Sequence, residues 1–139
     1  MSDTVPHSKL THAGALKLIQ AAIAKAQQMG QPQCIAVVDD GGNLRAHVRM
    51  DGALIGSIAI SINKAYTAIA FQTQTKNLVD LTQSGQPLFG LNDSAGGRIV
   101  IFPGGIPLVR DGRVIGAVGV SSGTVEQDQE VAEAGAGAV

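Results

Sequence analysis

The sequence has no tryptophan, one tyrosine and three phenylalanines in 139 residues. A platform for stacked bases needs exposed aromatics, so single-stranded nucleic acid is a poor partner. There is one cysteine, Cys34, which excludes an intrachain disulfide and the Cys-rich zinc sites. Cys34 precedes the apolar run Ile35–Val38 and reads as a small buried hydrophobe rather than a reactive thiol. Charge is scarce too. Charged residues are 15% of the chain, ten basic against eleven acidic, with a net charge of -1. No basic block exists to track a phosphate backbone or an anionic membrane. A long uninterrupted apolar run is also missing. Gly52 to Thr75 contains only Lys64 as a charge, yet it carries Ser57, Ser61, Asn63, Thr67 and Gln72. That pattern is a helix buried on most sides, not a membrane span. Met1 to His7 lacks an apolar segment behind a basic start, so no secretion signal is read and a cytoplasmic location is expected.

What remains is ordinary in size and apolar content. Hydrophobic residues are 45% of a 14.2 kDa chain, which fits one domain with its own core. The low charged fraction suggests surface covered by further copies, so a homo-oligomer is expected. Residues 1–10 read as a flexible lead-in and residues 11–139 as a single domain.

Local signals set the element order. Thr11 is an N-cap for a helix to about Met29, with Leu16, Ile19, Ile23 and Ala26 at helical spacing. Gly30 and Pro32 end it. Ile35–Val38 and Leu44–Met50 form a hairpin about Asp39-Asp40-Gly41-Gly42-Asn43. Alternation puts Leu44, Ala46, Val48 and Met50 on one face, and Arg45, His47 and Arg49 on the other. A second helix covers about Leu54–Gln72, and a shorter one about Thr75–Gln83. Strands are expected at Arg98–Phe102, Ile106–Arg110 and Val114–Ser121, the last two joined by Asp111-Gly112. Gly116 and Gly119 inside the last strand signal close approach of another backbone or a ligand. Thr124 and Gln127 then form a capping-box pattern that opens a final helix. Five strands in hairpins, with helices around them, predict an α/β fold: a three-layer α/β/α sandwich on a largely antiparallel sheet.

No Walker loop, H-E-x-x-H motif or nucleophile elbow is present. Three features could carry chemistry. Arg49 and Asp51 flank the entry to the second helix, either as an anion site or as an ion-pair partner and a helix cap. Lys64 is alone in an apolar helix. It must pair with a buried acid such as Asp51 or Glu126, or face a ligand. His7, His12 and His47 lack zinc-ligand spacing, so no metal site is expected from them.

Three stretches together resemble the GlcG/HbpS family: Ile35 to Ala53, Lys64-Ala-Tyr-Thr-Ala68, and Gly104-Gly-Ile-Pro107 with Asp111 to Val120 and Glu126-Gln-Asp128. The likeness runs from Leu10 to about Gly135. It extends to the C-terminal domain of PduO-type cobalamin adenosyltransferases. The resemblance implies a profilin-like sandwich, haem as a cofactor and multimeric assembly, with His12 and His47 as candidate haem ligands.

Three functions are therefore weighed. One is a small-molecule binding accessory protein, for haem or a related tetrapyrrole. The second is a small enzyme acting on a short organic acid, with Asp51, Lys64 and Glu126 as catalytic candidates. Arg49, Lys64, Gly104, Gly105 and Glu126 would then hold the ligand. The third is a partner that only assembles with other proteins. Neither nucleic acid nor a membrane is an expected partner.

Overall fold

The structure is a computed structural model and describes residues 1–139. The chain folds as α1 (His12–Met29), β1 (Cys34–Asp39), β2 (Leu44–Arg49), α2 (Ser57–Phe71), β3 (Gly105–Arg110), β4 (Arg113–Ser121) and α3 (Val125–Ala136). Four antiparallel strands run in the order β2-β1-β4-β3, so β1 and β4 are central. Helices α1 and α3 lie together on one face, and α2 covers the other.

The sheet has four strands, not five. Arg98–Phe102 forms no strand. Its Val100 N–H donates instead to the Thr67 hydroxyl on α2, and Ile99 and Val100 are buried. With its donor taken by a side chain, Val100 makes no ladder bond there. Thr75–Gln83 is likewise not an α-helix but two 3-10 turns, Thr75–Leu78 and Asp80–Thr82. Helix α2 starts at Ser57 behind Gly56, without a side-chain cap, so Asp51 caps nothing. Asp51 sits exposed in a turn with Gly52.

The local signals at the other helix ends hold. Thr11 accepts from the Gly14 N–H, and Gly30 closes α1 in the left-handed region at φ 68°. Thr124 and Gln127 make both bonds of the capping box. The Asp39 carboxylate accepts from the Gly41 and Asn43 N–H groups and so closes the first hairpin.

One face holds the main core. Ile35, Val37, Val118 and Val120 meet Leu18 and Ala22 of α1 and Val131 of α3, and Leu10 already joins them. Ala46, Val48 and Met50 pack there, as their alternation predicts. Leu44 does not share that face. The register slips between Val37 and Val38, so Arg45 bulges out and Leu44 stands opposite Val38. A bulge of one residue reverses the alternation beyond it.

Candidate functional site

The α2 face is built differently. His47, Ala36, Gly119 and Gly105 form one cross-strand row. A Cβ on Gly119 would strike the Ser61 carbonyl oxygen and the Ala65 nitrogen, and one on Gly105 the Lys64 carbonyl oxygen. The helix thus lies with its backbone on the sheet backbone. Gly116, in contrast, lies against the Val38 carbonyl. The glycines of β4 serve backbone approach, with no ligand between.

This seating drives Lys64 into the interior. The residue is fully buried. Its Nζ donates to the Val120 carbonyl at 2.7 Å and to the Asp128 carboxylate at 2.8 Å, and it lies 5.0 Å from the Phe102 ring centroid. The partner is Asp128, not Asp51 or Glu126. Asp128 extends the buried stripe of α3 (Asp128, Val131, Ala132, Gly135), which faces the sheet. Its second oxygen accepts from the Gly123 N–H at 2.9 Å. Burial pushes the Lys64 pKa down, and the Asp128 charge opposes this. Burial pushes the Asp128 carboxyl up, against the Lys64 ammonium and the Gly123 N–H. Gln33 faces the same carboxylate short of a full hydrogen bond, and its buried amide atoms have no partner. The pair joins α2 to α3, which lie on opposite faces, around the end of the sheet.

The candidate residues fall into separate places. Gly104 and Gly105 lie directly beneath Lys64, and a Cβ at Gly104 would sit 2.7 Å from its Nζ. No open space separates them. Arg49 and Asp51 meet elsewhere, in a surface basin of about 400 Å³ shared with Ile23, Gln27, Val48 and Met50. Glu126 is exposed in the first turn of α3. His12 is exposed at the first turn of α1. His47 is half-buried beside α2, with Nε2 3.2 Å from the Ser61 hydroxyl, and burial lowers its pKa below the ordinary 6.5. His7 lies 3.7 Å from Asp40. No cluster of three His, Cys, Asp or Glu residues is placed to hold a metal ion. Cys34 is buried, and burial raises its thiol pKa. No helix is long and apolar enough to cross a membrane.

Asp128 and Gln33 are the residues that sequence reading missed. Asp128 had a signal. An acid on the apolar stripe of one helix and a lysine in an apolar helix need each other. Gln33, just before a strand, carried none.

These elements define a small antiparallel α/β domain. Its buried charges are engaged with each other, and its histidines lie at or near the surface. A family model described as "Haem degrading protein HbpS-like" matches residues 10–137, and the chain belongs to that family. It is 49% identical over 133 residues to an uncharacterised 15.0 kDa protein from the dhaT-dhaS intergenic region of Citrobacter freundii, covering 96% of this chain and 94% of that one. Among solved structures, Klebsiella pneumoniae protein ORFY is 39% identical with a TM-score of 0.96, over 99% of this chain and 95% of that one. A PduOC–haem complex is 38% identical with a TM-score of 0.92, over 95% and 96%.

Proposed function

We propose that the protein is an accessory protein that binds haem or a related tetrapyrrole at its surface through one histidine. The observation that carries this reading is the likeness, at 38% identity along nearly the whole domain, to a chain solved with haem.

The residues present fit such a group in a particular way. The surface basins hold about 280 to 440 Å³ each and are open, with polar or mixed linings. None encloses a macrocycle, whose faces need apolar walls. The ring would lie flat and be covered by a second copy, which makes a homo-oligomer part of the proposal. His12 is the first choice of ligand. It is exposed, and Leu16, one turn on along α1, is 50% exposed and offers an apolar shelf. His47 is the second choice. Its burial favours the neutral imidazole that an iron needs, but Ser61 already engages its Nε2.

One observation favours a second reading. Arg49 and Asp51 share a basin, where a guanidinium could hold a short carboxylate. Lys64 and Glu126 would contribute nothing there.

Titration of the purified chain with hemin tests the proposal. A saturable Soret shift is expected, lost in His12→Ala and kept in His47→Ala. Loss in His47→Ala alone would move the ligand to β2. An unsaturable shift that survives both substitutions would sink the haem reading.

A further inference from the structure

A polar concavity lies away from these features, between the N-terminal segment and the β3–β4 hairpin. It holds about 440 Å³ and is lined by Pro6, His7, Ser8, Arg110, Asp111 and Arg113. Arg110 and Arg113 are direct cross-strand partners. The turn between them is fixed by Asp111 at φ 53° and Gly112 at φ 74°, the left-handed pair that closes a two-residue hairpin. Like charges placed directly opposite destabilise a hairpin. Neither guanidinium has a carboxylate within ion-pair distance. The chain's ion pairs are Lys64–Asp128 and His7–Asp40, so even neighbouring Asp111 does not neutralise the arginines.

We propose that this basin binds the phosphate group of a small metabolite. Two guanidinium forks on a rigid turn match a tetrahedral dianion and relieve their mutual repulsion by binding it. The Ser8 hydroxyl on the facing wall adds a donor from a second side. The His7 ring is steadied by Nδ1 at 2.9 Å from the Ser8 carbonyl and by Asp40. Asp111 and Asp40 are the acids at this end. Lys9 and Lys17 line the adjoining basin, which shares Ser8 and Arg110, so positive charge predominates. The lining has no large apolar side chain, which disfavours a macrocycle and separates this site from the haem surface proposed above. The volume exceeds what a bare phosphate fills and leaves room for a short polar organic group.

The test uses the full haem-free chain, titrated with inorganic phosphate, glycerol phosphate and succinate, and followed by calorimetry and phosphorus NMR. Saturable binding of either phosphate is expected, about tenfold or more weaker in Arg110→Gln/Arg113→Gln with the melting temperature kept. Tighter binding of glycerol phosphate would identify a phosphate monoester as the ligand. Ser8→Ala, on the opposite wall, should weaken binding as well and serves if the double variant does not fold. The proposal is overturned if neither phosphate saturates, if the Arg110→Gln/Arg113→Gln variant binds equally well, or if succinate binds more tightly than both phosphates.

Discussion

The two faces of one sheet are packed by opposite means. Toward α1 and α3, side chains fill the space, in a core of fifteen buried residues that includes Leu18, Ile35, Val118 and Val120. Toward α2, the apolar cluster has six buried residues, four of them alanines. There the helix backbone rests on Gly119 and Gly105, and the buried end of the interface is held by Lys64 and Asp128. Close packing can thus be reached by large side chains or by their absence. The second route brings main-chain carbonyls and a charged side chain into the interior, where each needs a partner.

The strongest way to break this comparison is at the ion pair. Lys64→Met should cost about 3–5 kcal/mol in denaturant unfolding, because Asp128 is left buried without its cation. Lys64→Met/Asp128→Leu should recover most of that loss. A single variant as mild as a surface substitution would show that the pair does not hold the α2 face.

Adjacent residues on β4 test the faces against each other. Gly119→Ala should cost about 3 kcal/mol, since the added methyl meets backbone that cannot step aside. Val118→Ala should cost about 2 kcal/mol through the cavity it leaves. The discriminating measurement is a second change at the contact that leaves the backbone in place. Ser61→Gly should not rescue Gly119→Ala, because the obstruction is the Ser61 carbonyl and not its side chain. Rescue would mean that α2 is free to lift.

The smallest effect concerns His47 at the uncovered edge of the α2 face. Burial lowers its folded pKa below 6.5. Its contribution to stability is therefore present above pH 6.5 and is lost as pH falls through the folded value. The melting temperature of the wild type should fall on acidification through that range, and His47→Gln should flatten this part of the profile. An unchanged profile would remove His47 from the acid sensitivity.

Much of this contrast was legible. The glycines in β4 announced close approach of a backbone or a ligand, and Lys64 a buried pair or a ligand contact; the structure selects the backbone and the pair. The identity of its partner was within reach, because Asp128 continues the stripe of Val131, Ala132 and Gly135. Glu126, two positions earlier, lies off that stripe and is exposed. The expected strand at Arg98–Phe102 had the apolar residues of a strand. Nothing in its own sequence showed that Thr67, far earlier in the chain, would take the Val100 donor. The slip at Arg45 was equally hidden, since a bulge depends on how two strands settle together. The placement of Arg49 and Asp51 away from Lys64 was open for the same reason.

By itself the sequence determined the helix caps at Thr11, Gly30 and Thr124 and the hairpin turns at Asp39 and Asp111, but not the whole of the apolar stripes, since Leu16 and Leu44 are exposed. Each depends on backbone angles and hydrogen bonds among residues within a few positions of one another. Only the tertiary structure decided the strand count, the partner of Lys64 and the placement of Arg110 and Arg113 beside the N-terminal segment. Those outcomes rest on contacts such as Lys64 with Val120 and Asp128, which lie 56 and 64 residues away. Such contacts exist only once the faces have packed, and packing selects among partners that the local sequence leaves equivalent.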